Sequence, residues 1–148
     1  MRRALLSLLA LLPLLLAAPS RAGTREDAAV AGVQEQWAAA FAKQDIDALV
    51  ALYGREAHFY GSSPPLFIGQ DGVRAYFKAL PWAILRDARF SDTKTVRLGP
   101  GIVITAGLLN VEREVGGEKM VSVFRLTMTL QRQDGVWRIV SHHASPKS

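Results

Sequence analysis

Three histidines are the side chains of this sequence best suited to moving a proton near neutral pH: His58, His142 and His143. Imidazole titrates near pH 6.5, so each of them can serve as a base or hold a ligand. His58 is flanked by Phe59 and Tyr60, and we predict that it faces a pocket. His142 and His143 are adjacent in a predicted strand, so only one of them can face the same cavity. We predict His58 and His143 as the catalytic candidates, with His142 as a ligand contact.

Aromatic and cationic side chains supply the other candidate ligand contacts. Tyrosine hydroxyls need a partner when they are buried, which favours a place at a pocket. Arg125 begins a polar row along one face of a predicted strand, and a guanidinium in a concave apolar setting suits a carboxylate-bearing ligand. The alternatives are core packing for the aromatic residues and a solvated or dimer-forming face for the polar row. The predicted ligand contacts are Tyr53, Tyr60, Tyr76, Trp82, Arg125 and His142.

Carboxylates are scarce where acid-base catalysis would need them. Proton abstraction by a carboxylate requires an Asp or Glu whose pKa is raised by apolar surroundings. Glu112, Glu114 and Glu118 instead cluster at a predicted hairpin tip. Two adjacent strand histidines diverge, and no Cys or carboxylate is spaced to join either of them, so we predict no metal site. No motif indicates a cofactor.

The first 22 residues have the pattern of a secretory signal peptide. Arg2 and Arg3 precede an apolar run over residues 4–16, which is shorter than the ~20 residues of a membrane-spanning helix. Small residues at 20 and 22 suit cleavage after Ala22. We therefore predict an exported protein, periplasmic or secreted, with no membrane attachment after cleavage and one domain over residues 23–148.

The net charge limits the possible partners, and the cysteine content limits how the fold is stabilised. The net charge of +5 includes Arg2, Arg3 and Arg21, and without them 15 basic residues face 13 acidic ones. A surplus of two without a clustered basic face argues against nucleic-acid binding. The chain has no cysteine, so its fold must depend on packing alone.

Apolar spacing predicts three helices ahead of a sheet. Val30, Val33, Trp37 and Phe41 fall at intervals of three and four, as on one face of a helix over residues 26–43. A second helix follows Asp45 and is predicted to include Tyr53 before Gly54 ends it. A third has its apolar face at Val73, Tyr76, Phe77 and Leu80, and Pro81 ends it.

Strand signals dominate the rest of the chain. A short strand is predicted at residues 57–60 and another at 66–68, with a turn-rich loop between them. Four long strands are predicted at 86–97, 101–114, 119–133 and 136–143. The last two are joined by Asp134-Gly135, a strong hairpin signal. Three helices followed by hairpin-linked strands predict an α+β fold, in which the helices cover a curved antiparallel sheet and leave a cone-shaped hollow.

The chain resembles the nuclear transport factor 2-like superfamily, nearest to its SnoaL-like branch and to the calcium/calmodulin-dependent kinase II association domain. One group of matching residues lies in the helical half: Trp37, Phe41, Asp45, Leu52, Tyr53, Ala57 and Gly69. The other lies in the last two strands: Arg125, Thr127, Asp134, Gly135, Trp137, Ile139, Val140, His143 and Ser145. The resemblance implies the cone-shaped fold, and the superfamily includes isomerases, dehydratases, epoxide hydrolases and oligomerisation modules. Where relatives often have a His after position 140, this chain has Ser141.

Three functions are compatible with these residues. The first is binding, without turnover, of a small apolar or carboxylate-bearing molecule by a homodimeric exported domain. The second is a lyase, isomerase or hydrolase in which His58 or His143 moves a proton and a tyrosine or Arg125 stabilises negative charge. The third is homo-oligomerisation without a ligand. Residues 102–111 are apolar on both strand faces, so that strand is expected to be covered on both sides.

Overall fold

The computed structural model describes residues 21–62 and 65–147, with side chains from Arg25 onward. Over these residues it contains three helices and six strands, with all the helices ahead of the four long strands. The elements are α1 (Arg21–Ala42), α2 (Ile46–Ala51), β1 (Tyr53–Tyr60), β2 (Phe67–Ile68), α3 (Gly69–Lys78), β3 (Leu85–Gly99), β4 (Ile102–Val115), β5 (Glu118–Gln133) and β6 (Val136–Pro146). The predicted fold class is confirmed. The predicted signal peptide lies almost wholly outside the described residues.

The helices follow the predicted apolar spacing, with one difference at the end of α2. Asp45 caps α2 by accepting a hydrogen bond from Ala48 N at 2.9 Å. The helix ends at Ala51, and Tyr53 begins β1 instead of completing the helical stripe. The cause is tertiary, because Leu52 O accepts a hydrogen bond from Ile139 N of β6 at 2.9 Å. Pairing with the sheet therefore overrides the local helical pattern at Tyr53.

The six strands form one curved sheet in the order β2-β1-β6-β5-β4-β3. The four long strands pair antiparallel, as predicted. The sheet as a whole is mixed, because β1 and β6 run parallel. This pair brings the start of the fold against its last strand, so Phe59 lies beside His142. Among the described residues, no helix combines the length and apolarity needed to cross a membrane.

Two tight turns fix the register of the long strands. Asp134 and Gly135 have φ values of 50° and 82°, and Gly116 and Gly117 have 61° and 86°. Positive φ at both central residues is the condition for the hairpin turn whose twist matches the strands. The predicted Asp134-Gly135 hairpin is confirmed. With its register fixed, β5 places Leu126, Met128 and Leu130 in the core and Arg125, Thr127 and Thr129 on the opposite face.

Curvature comes from a break in the pairing of β3 with β4. The register shifts between Ser91 and Lys94, where Asp92 has a φ of 53°. Gly107 lies opposite this bulge, and a Cβ there would lie 2.8 Å from the Ser91 carbonyl oxygen. A bulge bends the strand that carries it, and only glycine allows the close approach. The sheet thus gains a concave inner face that packs on the helices and a convex outer face.

Candidate ligand-binding cavity

A cavity of about 200 Å³ lies between the inner face of the sheet and helices α1 and α3. Its walls are predominantly aromatic and aliphatic. The aromatic wall consists of Trp37, Phe41, Phe59, Phe77, Phe124 and Tyr76. A dry cavity of about 150 Å³ is enough to hold benzene. The hollow predicted from the order of the elements is therefore present, and its space matches one ring with a small substituent.

Among the described lining residues, five have polar side chains that interrupt this apolar wall. They are Ser62, Tyr76, Arg113, Ser122 and His142. The Tyr76 hydroxyl accepts a hydrogen bond from Ser62 N at 3.2 Å and lies 3.3 Å from Ser62 Oγ. None of the described residues that line the cavity is an Asp or a Glu. Apolar walls with a few convergent polar groups are typical of small-molecule sites.

His142 is held by a chain of buried hydrogen bonds. Trp37 Nε1 donates to Tyr53 Oη at 2.9 Å, and Tyr53 Oη lies 2.9 Å from His142 Nδ1. Indole can only donate, so the tyrosine oxygen accepts from Trp37. The buried tyrosine proton has no acceptor among the described residues other than Nδ1, so we assign it to that bond. Nδ1 is then the acceptor of a neutral ring, and the ring proton is on Nε2. Nε2 has no partner among the described residues, so this N–H is available to a molecule in the cavity.

Burial fixes the protonation states in this chain. His142 is 2% exposed, and desolvation, together with the charge of neighbouring His143, lowers its pKa to about 3. Burial also raises the pKa of Tyr53 well above its usual range, although the bond from Trp37 opposes the shift. Both groups are therefore neutral at physiological pH. His142 presents a hydrogen-bond donor to the cavity and is a weak base.

Arg113 brings the cationic group to the cavity wall. It continues the inward-facing row of β4 after Leu109 and Val111. Its Nε is buried and has no hydrogen-bond partner. The acidic neighbours on the strand are bound to other cations: Glu112 contacts Lys119 at 3.4 Å and Glu114 contacts Arg86 at 3.2 Å. Within the described residues, no carboxylate neutralises Arg113.

The two histidines predicted as catalytic lie outside the cavity. His58 and His143 are both exposed on the outer face of the sheet. His143 packs against Tyr60 there, with ring centroids 5.9 Å apart. The expected position of His58 in the pocket is therefore wrong, and neither residue can reach a molecule in the cavity. Strand alternation puts His58 outward because Ala57 and Phe59 on either side of it are buried.

The predicted ligand contacts divide between the two faces. Tyr76 and His142 line the cavity, while Tyr53 lies behind His142 and supports it. Trp82 packs on Phe41 at 5.0 Å and donates from Nε1 to the Phe77 carbonyl at 2.7 Å, which makes it part of the supporting wall. Tyr60 and Arg125 are exposed on the outer face, so the predicted pocket position of both is wrong. Arg125 donates instead to the Pro146 carbonyl at 3.2 Å.

Sequence reasoning missed Arg113, Ser122 and Phe124. Strand parity was the available signal, because Arg113 shares its parity with Leu109 and Val111 of β4. Ser122 and Phe124 similarly share the parity of Leu126 in β5. In the ranges that the structure describes, no three His, Cys, Asp or Glu side chains come together as a metal site would require.

A family model for the SnoaL-like domain matches residues 30–147. The chain belongs to the SnoaL-like domain family. This confirms the resemblance noted in the sequence and covers every element from α1 onward except the start of that helix. No curated protein sequence matches the chain significantly.

Solved structures similar to this SnoaL-like domain share its fold at low sequence identity. A ketosteroid isomerase-like protein from Erwinia carotovora atroseptica is 16% identical, with a TM-score of 0.71 over 82% of this chain and 95% of that one. A protein from Xanthomonas campestris named for the calcium/calmodulin-dependent protein kinase II association domain is 21% identical, with a TM-score of 0.72 over 91% and 93%. The hexachlorocyclohexane dehydrochlorinase LinA-type3 from Novosphingobium barchaimii is 14% identical, with a TM-score of 0.73 over 85% and 89%. At these identities the likeness establishes the nuclear transport factor 2-like fold alone.

Proposed function

We propose that this SnoaL-like domain is an exported protein that binds a small, mainly apolar molecule in the cavity between α1, α3 and the sheet. The observation that supports the proposal is a preformed hollow of about 200 Å³ with aromatic walls and a hydrogen-bond donor held in place by Trp37 and Tyr53. A donor whose orientation is fixed before binding loses little entropy when the ligand arrives. Export rests on the sequence of residues 1–22, and an N-terminus at Gly23 in the protein purified from its host would test it.

Binding without turnover fits the polar groups better than catalysis does. Proton abstraction needs a base whose pKa lies near the working pH. His142, with a pKa lowered to about 3, is far from that condition, and the described cavity wall has no carboxylate. An isomerase or lyase that abstracts a proton would need a base that the described cavity wall does not offer. The ketosteroid isomerase-like and dehydrochlorinase structures share only the fold with this chain, so the activities in their names are not assigned to it.

Occlusion of the cavity provides the test. Ser122→Leu adds an apolar side chain to the cavity wall, whereas Thr127→Leu adds the same side chain to the exposed face of the same strand. We expect benzamide, a neutral one-ring probe, to change the total tryptophan fluorescence through its contact with Trp37 and to raise the melting temperature of the wild type and Thr127→Leu. Ser122→Leu should lose both responses. Equal responses in all three proteins would place the binding elsewhere and contradict the proposal.

Homodimer formation through the outer face is a second proposal, supported by the apolar residues exposed there. Val96 is 58% exposed and pairs with Ile104 of β4, and the partly buried Leu108 lies on the same face of β4. Apolar side chains grouped on a sheet face favour burial against a partner. Native mass spectrometry should detect a dimer that Ile104→Lys disrupts and Val115→Lys, beside the Gly116-Gly117 turn at the far end of β4, does not. A monomeric wild type at micromolar concentration would contradict it.

A further inference from the structure

We infer that the ligand is a small monocarboxylic acid and that Arg113 binds its carboxylate. This inference rests on the proposed binding function, which by itself requires only an apolar molecule. Arg125, the arginine predicted for this role, is on the other face of the sheet. Arg113 supplies the same chemistry where the cavity is.

The Arg113 guanidinium has one unsatisfied donor, its Nε, which is buried without a hydrogen-bond partner. Leaving a buried charged donor unpaired costs free energy, and such a group in a cavity wall is stabilised when a ligand supplies the acceptor. Arginine cannot lose its proton at physiological pH to relieve this cost. The missing partner is therefore an acceptor, and an anionic acceptor satisfies both the hydrogen bond and the charge.

The charges of the cavity wall determine the charge of the acceptor. Arg113 is the only cationic side chain among the described residues that line the cavity, and His142 is neutral there. One guanidinium compensates one negative charge, and its planar fork matches a carboxylate through two parallel hydrogen bonds. A phosphate dianion would leave a second charge buried among aromatic rings, so the cavity favours a carboxylate. The N–H of His142 can add a hydrogen bond without adding charge.

The size and shape of the cavity limit the ligand that can bind. About 200 Å³ with a mainly aromatic wall holds one six-membered ring or a short branched chain besides the carboxylate. The ligand class that follows is a benzoate-like aromatic acid or an aliphatic acid of similar volume.

Benzoate and benzamide form the matched probe pair, because they share a ring and differ in charge. We expect wild-type protein to bind benzoate at least about tenfold more tightly than benzamide in calorimetric titrations, as for a charge-assisted bidentate pair. Arg113→Met should remove this preference while it retains benzamide binding. Arg113→Lys should keep part of it, and Arg125→Met on the outer face should keep all of it.

The two probes test carboxylate recognition by Arg113 separately from the proposed binding function. Benzamide binding that Ser122→Leu abolishes, with no preference for benzoate, would overturn the carboxylate inference and leave the binding function intact. A benzoate preference that survives in Arg113→Met would assign the anion to another group and also overturn the inference. Failure of both probes to bind the wild type at millimolar concentration would contradict the inference and the proposed function together.

Discussion

The two faces of the sheet carry the same residue types in opposite environments. His142 is buried in the cavity wall and neutral, and His143, one peptide bond away, is exposed beside Tyr60. Arg113 has a buried Nε without a partner, whereas Arg125 donates to a carbonyl at the surface. Alternation along β6 produces the first contrast, and the second arises because Arg113 has inward parity on β4 and Arg125 has outward parity on β5. Residue type alone therefore does not identify the functional groups here, because removal from water decides which of them can hold a ligand.

Truncation of two neighbouring aromatic residues of β1 should show the largest difference in stability between the two faces. Phe59 is 1% exposed and packs on His142 at 4.6 Å, whereas Tyr60 is 46% exposed. Phe59→Ala should lower the free energy of unfolding by about 3 to 5 kcal/mol, since it enlarges the cavity and removes packed surface. Tyr60→Ala should cost less than about 1 kcal/mol. Urea denaturation of both variants measures the difference, and equal losses would mean that Tyr60 on β1 is itself buried against another surface in solution.

Removal of the Tyr53 hydroxyl should have the next largest effect. Tyr53→Phe leaves the indole N–H of Trp37 and Nδ1 of His142 without their buried partner. An unsatisfied buried group costs about 1 to 3 kcal/mol, so we expect a loss in that range. Tyr76→Phe, whose hydroxyl lies at the exposed Ser62, is the control and should cost less. ¹⁵N NMR of the wild type should also show the His142 proton on Nε2, and a proton on Nδ1 would refute the assigned direction of the hydrogen bonds.

The lowered pKa of His142 predicts a pH dependence of stability. Between its folded value of about 3 and its ordinary value of 6.5, the unfolded chain binds a proton that the folded protein does not. Stability is therefore complete above pH 6.5 and falls as the pH is lowered, with a limiting slope of about 1.4 kcal/mol per pH unit for the one proton. Thermal melts between pH 5 and 7 should show this slope in the wild type and in His143→Ala. His142→Asn, which retains an acceptor for Tyr53, should lack it, and an unchanged slope there would assign the effect to another group.

The sequence was sufficient to predict the architecture because its signals are local. The spacing of Trp37 and Phe41 predicts α1, and Asp134-Gly135 predicts the last hairpin with its register. The end of α2 could not be predicted, because Leu52 and Tyr53 fit a helix until β6 is present to pair with them. The position of Tyr53 depends on a strand more than 80 residues away.

A single bulge explains why the choice between His142 and His143 could not be made from the sequence. Leu130 pairs with Ile139 and Thr129 pairs with Ser141, so Val140 is an extra residue in β6. An unbroken strand with Ile139 facing the core would have turned His143 inward. The bulge reverses the parity and places His142 there instead. In β4 the alternation continues without a break from Leu109 to Arg113, so the inward position of Arg113 was predictable although it was missed.

The smallest predicted effect is the contribution of the two arginines to the stability of the ligand-free protein. Arg113 retains a buried donor without a partner, so Arg113→Met should leave the free energy of unfolding unchanged or raise it by up to about 1 kcal/mol. Arg125→Met removes an exposed side chain and should change it by less than about 0.5 kcal/mol. Chemical denaturation without and with benzoate provides the comparison, because benzoate should stabilise the wild type and Arg125→Met but not Arg113→Met. A clear loss of stability in ligand-free Arg113→Met would mean that the guanidinium already has a partner within the folded chain.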